Sequence, residues 1–126
     1  MSRKRRRVAY TLDSKGIKDL PFDEIKAVLR GADELIATGG RSLLAKILKG
    51  SRDKKLLQYG LDQSPAYGYY RELKVEDITA RIDWLIKKGY LDIEYSGRLP
   101  VIIFTDKGWE IERDTYSDEL LEKLRS

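Results

Sequence analysis

The feature that most constrains the fold is a change of hydrophobic period at Gly89. Before it, apolar residues over 75–88 recur at helical spacing, which predicts a helix with one buried face. After it, apolar residues over 91–95 alternate with acidic ones, which is the period of a half-buried strand. A β-branched run over 101–105 predicts a second strand. A helix is therefore followed directly by a hairpin over 90–105.

Three more helices are expected before this unit. An apolar stripe predicts a helix over 24–37, with Asp23 as its N-cap. A second helix is expected over 41–50, and a third over 52–59 with Ser51 as its cap. Glycine follows each segment, as at many helix ends. Helices followed by a two-stranded hairpin predict an α+β, mainly helical fold: a winged helix-turn-helix with a two-stranded β-hairpin wing.

The chain divides by composition into three parts. Residues 1–22 form a basic N-terminal arm, in which residues 8–12 alternate as a short strand would. Residues 23–111 are expected to form the winged-helix domain. Residues 112–126 are expected to form a C-terminal helical extension that folds back onto the domain or serves as a contact surface.

Missing residue types exclude several kinds of site. The chain has no cysteine, so disulfides, thiolate catalysis and cysteine-based metal sites are excluded. It has no histidine, which removes the usual general base and the commonest transition-metal ligand. Neighbouring acids such as Asp118 and Glu119 are better explained as solvated helix charge than as catalytic groups. We therefore expect no enzyme activity, no metal and no cofactor.

Apolar segments are too short for a membrane protein. The longest apolar run is Val101–Phe104, far below the length of a membrane span. The basic N-terminus has no apolar stretch behind it, so it does not resemble a secretory signal. A cytoplasmic protein without a membrane partner is expected.

The positive charge is concentrated in two blocks. Residues 1–20 hold seven Lys/Arg and two Asp, giving +5, and residues 41–74 hold eight Lys/Arg and three acids, also giving +5. The other stretches are acidic: −2 over 21–40, −1 over 75–105 and −3 over 106–126. Such blocks indicate a directed patch for a polyanion, although ordinary surface charge is the alternative.

Short motifs follow one another along residues 24–110: Ile47-Leu48-Lys49-Gly50-Ser51, Gly60-Leu61-Asp62, Tyr67-Gly68, Leu85-Ile86, Gly89-Tyr90-Leu91 and Thr105-Asp106-Lys107-Gly108. In this order they resemble the RQC domain, which lies behind the motor in RecQ-type DNA helicases. The resemblance implies a winged helix that grips duplex DNA near a junction. It implies phosphate contacts from the loop after the "LKGS"-like helix and from the helix that follows, and a hairpin that helps to part the strands.

Two parts of a RecQ helicase are missing from this sequence. It has no GxxxxGK[ST] phosphate-binding loop, so ATP hydrolysis is not expected, and it lacks the cysteine-based zinc subdomain. The sequence therefore resembles a free-standing, RQC-like bacterial protein linked to DNA repair, replication or recombination. DNA as duplex, fork or junction is the expected partner, together with a separate helicase or repair protein; the oligomeric state is open.

Candidate DNA-binding residues lie around Gly50, in the tyrosine-rich loop and at the wing tip. A Gly-Ser turn entering a helix offers backbone N–H groups to a phosphate, and nearby cations add attraction; a solvated surface helix is the alternative. Exposed aromatic and basic residues suit stacking on bases, although Tyr95 could instead complete its strand's apolar face. The candidates are Arg41, Lys46, Lys49, Gly50, Ser51, Arg52, Lys54, Lys55, Tyr69, Arg71, Tyr95 and Arg98.

The helix over 75–88 is not expected to read sequence in the major groove. Its outer face begins with Glu76 and Asp77, which disfavour approach to phosphates. Arg81, four residues after Asp77, is the one group on it suited to reading a base, and pairing with Asp77 is the alternative. Two rival functions remain open: a sequence-specific transcriptional regulator, and a protein-interaction module using the acidic, leucine-bearing stretch 114–124.

Overall fold

The structure, a computed structural model, describes residues 12–125. Five helices and one antiparallel two-stranded sheet follow one another in the predicted order, which confirms the predicted fold class. The elements are α1 (Phe22–Asp33), α2 (Arg41–Lys49), α3 (Lys54–Gln58), a 3₁₀ turn (Leu61–Gln63), α4 (Val75–Lys87), β1 (Leu91–Ser96), β2 (Leu99–Phe104) and α5 (Asp106–Arg125).

The core lies between α1, α2, α4 and the inner face of the hairpin. Each helix contributes one apolar stripe, because residues three and four apart share a face. Leu29, Leu44, Ile82 and Ile102 are fully buried and come from the four different elements. Packing these faces together fixes the outer surface of α2, which carries three of the candidate cations.

Helix α1 ends four residues earlier than predicted. The sequence pattern predicted a helix to residue 37, but α1 ends at Asp33 and the following residues form turns. The reason is a pairing with β2: Ala37 N–H donates to Ile102 O over 2.9 Å, and Ile102 N–H donates to Gly39 O over 2.8 Å. The chain thereby gains a strand-like segment beside the wing, at the entrance to α2.

The hairpin that forms the wing has a regular register. Ile93 pairs with Ile102 and Tyr95 with Pro100, so the base of the wing is buried and its tip is exposed. A two-residue turn, Gly97 and Arg98, joins the strands, and Gly97 has a φ of +66°. Short hairpin turns favour glycine at such a position.

One residue joins the wing to α5. Thr105 lies between β2 and α5, and its hydroxyl contacts Gly89 O at 2.7 Å and Tyr90 O at 3.0 Å while accepting a bond from Gly108 N–H. A Cβ on Gly108 would lie 2.0 Å from Tyr90 O. Glycine is therefore required where α5 crosses the start of the wing.

Two predicted helix caps are wrong. Pro21, not Asp23, lies at the N-cap of α1, and Asp23 lies in the first turn, where its charge suits the helix dipole. Asp53, not Ser51, lies at the N-cap of α3, because the helix begins at Lys54, later than predicted; the Ser51 hydroxyl accepts a hydrogen bond from Asp53 N–H.

Parts of the sequence interpretation stay predictions. Residues 1–11 of the basic arm, and with them most of the expected strand over 8–12, lie outside the described residues, and Leu12 itself is not in a strand. The boundary predicted at residues 111/112 falls inside the continuous helix α5. Within residues 12–125, no helix is long and apolar enough to span a bilayer.

Candidate nucleic-acid interface

The turn after α2 is held by hydrogen bonds to the last carbonyl groups of that helix. Gly50 has a φ of +80° and ends the helix, with its N–H bonded to Lys46 O and Ile47 O. Ser51 N–H also donates to Lys46 O, over 2.9 Å. This glycine-dependent helix end directs the chain away from α2 and towards α3.

The loop containing Tyr67 and Gly68 fastens this turn. Gly68 N–H donates to Ile47 O over 2.8 Å. The Tyr67 hydroxyl lies 3.0 Å from Gly50 O and 2.8 Å from Ser51 O. Tyr67 lies partly buried against the core, and its hydroxyl positions the turn as well.

The expectation that Gly50 and Ser51 offer free N–H groups to a phosphate is wrong. Both N–H groups are bonded to carbonyl groups of α2. A phosphate at this turn would therefore have to contact side chains or N–H groups of residues after Ser51, and not the N–H groups of Gly50 and Ser51 themselves. The part these two residues play in DNA binding stays a prediction.

A cleft of about 480 Å³ lies between the outer face of α2 and the first turns of α4; we call it the α2–α4 cleft. Lys46 and Lys49 line its α2 side, with Gly50, Ser51 and Arg71 at one end. Lys49 Nζ donates to Arg71 O and Leu73 O, so this cation also holds the chain that leads into α4. Ser42, Ala45, Val75 and Thr79 complete the lining.

Two residues that line the α2–α4 cleft, Ser42 and Thr79, were not among the predicted site residues. Ser42 lies four residues before Lys46 and seven before Lys49, so one helix face carries all three. That spacing could have identified Ser42 from the sequence. No comparable signal marks Thr79, because its place in the cleft depends on how α4 packs against α2.

Arg71 lies across two glycines that almost touch. A Cβ on Gly50 would lie 3.1 Å from Gly68 Cα, and a Cβ on Gly68 would lie 2.1 Å from Arg71 Nη2. The exposed guanidinium forms no ion pair within residues 12–125. Arg71 is therefore a positioned cation that is open to a ligand.

Three more cations follow the same turn along the chain. Arg52, Lys54 and Lys55 are exposed and form no ion pair in the part of the chain that the structure describes. Lys46 differs from them, because its Nζ lies 3.6 Å from the Asp53 carboxylate. Of the predicted cations, Lys46, Lys49 and Arg71 line the α2–α4 cleft.

Arg41 lies at the other end of α2 and has a structural role. Its guanidinium bonds to the carboxylate of Asp83, a residue only 2% exposed on α4. The same carboxylate accepts a hydrogen bond from Asp13 N–H over 2.8 Å. Asp83, which sequence analysis did not single out, therefore joins α4 to the start of α2 and to the chain that emerges from the basic arm.

The outer face of α4 is poorly suited to reading bases. Arg81 Nη1 donates to the Asp77 carbonyl over 3.0 Å, and its Nε lies 3.6 Å from Glu24. The Asp77 carboxylate instead pairs with Lys15 at 3.3 Å. The Arg81 guanidinium is therefore already bound to groups of the protein. Among the described residues, it forms no ion pair with the Asp77 side chain, which was the alternative suggested by the sequence.

The tyrosine-rich loop presents one aromatic ring to solvent. Tyr70 is buried and its hydroxyl donates to Glu24 over 2.7 Å, whereas Tyr69 is 46% exposed. Burial, with Glu24 and Asp23 nearby, raises the pKa of Tyr69, so its phenol stays neutral at neutral pH. Tyr69 and Arg71 lie side by side next to the α2–α4 cleft.

The wing tip presents a separate group of exposed side chains. Tyr95 is 45% exposed and Leu99 is 69% exposed, with Arg98 in the turn between the strands. Tyr95 therefore lies beyond the buried part of its strand. The wing joins the body beside the start of α2, since a Cβ on Gly40 would lie 3.0 Å from Pro100 O.

Comparison with known proteins agrees with this geometry. The RQC domain family matches residues 22–120. The ATP-dependent DNA helicase RecQ of Bacillus subtilis (strain 168) is 27% identical over 101 residues, which cover 68% of this chain and 17% of the helicase. The chain thus spans well under two thirds of that relative. These matches support a DNA-binding winged helix of the RecQ type. The chain belongs to the RQC domain family.

Proposed function

We propose that this domain binds duplex or junction DNA through its phosphates, largely without reading sequence. The observation that carries the proposal is the set of cations that line the α2–α4 cleft, Lys46, Lys49 and Arg71; Arg71 is held against Gly68 and forms no ion pair among residues 12–125. Cations that neutralise phosphates release counterions, which drives binding whatever the sequence. The occupied state of Arg81 on α4 supports sequence-independent binding.

The wing is proposed to lie at the end of the duplex. Tyr95 and Leu99 offer apolar surface that can stack on the last base pair, and Arg98 can reach a phosphate. No phosphate-binding loop of the Walker type is present in the sequence, so the proposed role is binding, with at most local opening of an end. The helicase relative supports the further proposal that the domain acts beside a separate helicase or repair protein.

Fluorescence anisotropy over a series of salt concentrations tests the phosphate contacts. The variant replaces Arg52, Lys54 and Lys55 with alanine; Lys49 is kept, because it holds the carbonyl groups before α4. The variant should bind blunt duplexes of any sequence more weakly, and the slope of log K against log salt should fall by about one per lost phosphate contact.

The matched control replaces Lys26 and Lys123, two cations beside a groove between α1 and α5. It should leave the binding constant and the salt slope close to those of the unaltered domain. Equal DNA binding by the triple variant and the unaltered domain would contradict the site. Selection of a single palindromic sequence would favour a transcriptional regulator instead.

A further inference from the structure

A second cleft lies on the other side of Arg71. It has a volume of about 530 Å³, within the range of about 300–1,000 Å³ typical of small-ligand sites. Tyr69 and Arg71 form one part of it, with Glu24, Glu72 and Arg81 around them. We call it the tyrosine cleft. Arg71 lines both this cleft and the α2–α4 cleft, so the two are neighbours.

The exposed ring of Tyr69 has a rigid support. Its centroid lies 5.1 Å from that of Tyr70, with the two rings inclined at 72°. Tyr70 is fixed in turn, since it is 7% exposed, bonds to Glu24 and carries the Arg81 guanidinium 5.5 Å from its ring centroid. A ring held in this way can stack on a planar ligand at little cost in side-chain entropy.

The charges differ between the two clefts. Lys46 and Lys49 line the α2–α4 cleft, whereas the carboxylates of Glu24 and Glu72 line the tyrosine cleft. A phosphate is therefore attracted to the first cleft, whereas in the second the two carboxylates balance the charges of Arg71 and Arg81. Carboxylates accept hydrogen bonds from the amino groups of bases, as they do from cytosine.

A nucleotide fits this pattern if its phosphate lies at Arg71 and its base enters the tyrosine cleft. Bases inside a duplex are stacked on their neighbours and leave no free face for a tyrosine ring. Unpaired bases expose their faces, and aromatic side chains bind them there with little regard to sequence. The ligand class that fits is thus an unpaired nucleotide beside bound duplex.

We propose that the tyrosine cleft takes one unpaired nucleobase from a single strand adjoining the duplex, stacked on Tyr69, with its phosphate at Arg71. This rests on the proposed phosphate contacts at the α2–α4 cleft. It gives the domain a reason to prefer forks and overhangs that is independent of the wing.

The test compares a blunt duplex with the same duplex carrying a single-stranded overhang. In Tyr69→Ala and Tyr69→Leu, overhang binding should weaken about five- to hundredfold, the range expected for one stacked base, while blunt-duplex binding stays unchanged. Tyr69→Leu keeps apolar bulk against Tyr70, so it remains informative if the alanine variant unfolds. Tyr69→Phe should bind as the unaltered domain does, and Tyr59→Ala, at another exposed tyrosine, is the control.

A fluorescent base locates the contact. With 2-aminopurine placed at successive overhang positions, one position should be quenched by the unaltered domain and not by Tyr69→Leu. An abasic site there should weaken binding of the unaltered domain alone. An unchanged ratio of overhang to blunt affinity in Tyr69→Leu, with unchanged quenching, would overturn the inference. A blunt-duplex affinity that does not depend on Arg52, Lys54 and Lys55 would contradict the proposed function instead, so the two failures are distinguishable.

Discussion

Arg30 on α1 grips Glu119 on α5 with two hydrogen bonds: Nε donates to Oε2 over 2.7 Å and Nη2 donates to Oε1 over 3.1 Å. Its remaining nitrogen, Nη1, lies 3.5–3.6 Å from the carboxylates of Asp33, Glu34 and the fully buried Glu112. One buried guanidinium group therefore lies beside four carboxyl groups at the contact between α1 and α5.

Replacing Arg30 with leucine should destabilise the domain. The substitution leaves Glu119 without the buried cation that binds it through two hydrogen bonds, and removal of one partner from a buried pair costs about 3–5 kcal/mol. The lower end is expected, because Glu119 is partly exposed. Urea unfolding followed by circular dichroism measures the loss, with Lys26→Ala as the control one helical turn away. A cost equal to that of the control would contradict this view of α5.

Stability should fall as the pH rises from about 4.5 to about 8. Burial, with the carboxylate of Asp33 beside it, raises the pKa of Glu112 from 4.5 to about 8. The folded protein thus holds a proton that the unfolded chain has released, so this contribution is fully present below pH 4.5 and lost as pH passes 8. Glu34, Glu119 and Arg30 are the other charged groups around this contact.

Glu112→Gln tests this pH dependence. The amide does not titrate, so the variant should show a flatter stability profile between pH 5 and 9, measured by chemical unfolding at each pH. The window is favourable because the chain has no histidine to titrate within it. A profile as steep as that of the unaltered protein would show that another group carries the dependence.

Gly68→Ala should weaken both stability and DNA binding. The residue has a φ of +76°, where a side chain costs about 1–2 kcal/mol, and its Cβ would displace the Arg71 guanidinium. Gly60→Ala is the matched control, since its φ is +69° and its Cβ would meet nothing within 4 Å. Both variants should lose stability in thermal unfolding, but only Gly68→Ala should lose DNA affinity. Equal DNA binding by the two would remove Arg71 from the proposed site.

Tyr67→Phe should loosen the turn after α2. It removes the hydroxyl that lies against Gly50 O and Ser51 O, and one such hydrogen bond contributes about 1 kcal/mol. The free energy of unfolding from urea titration measures the effect. Tyr59→Phe, which removes the hydroxyl of an exposed tyrosine, should cost nothing measurable.

Shortening the side chains of the wing tip should affect forks more than continuous duplex. Tyr95→Ala and Leu99→Ala remove exposed apolar surface without touching the buried base of the hairpin. Anisotropy on a fork and on a duplex circle without ends separates the two modes. An equal loss on both DNAs would show that the wing contacts the side of the duplex.

Local sequence patterns predicted the helices and the wing, because the period changes at Gly89 in the sequence itself. The end of α1 was not predictable in this way, since it depends on hydrogen bonds between Ala37 or Gly39 and Ile102. The contact between Arg30 and Glu119 joins residues 89 positions apart and leaves no local signal. Long-range pairing overrides local periodicity at both places.

The sequence predicted which charged residues belong to the candidate site, but not how the backbone of the turn after α2 is bonded. The cations around Gly50 are evident in the sequence. The sequence does not show that the N–H groups of Gly50 and Ser51 donate to the last carbonyl groups of α2. Nor does the sequence show that Arg71 lies over Gly68, because the helix end and the tyrosine-rich loop must first meet.

The single residue between β2 and α5 gives the wing a fixed base. Thr105 is bonded on both sides, and α5 continues from it without a break to the contact with Arg30. Only this one residue separates β2 from α5, so in the folded domain the direction of the wing is tied to that of α5. If a DNA end contacts the wing tip as proposed, the load that it applies would pass along α5 to the contact with α1.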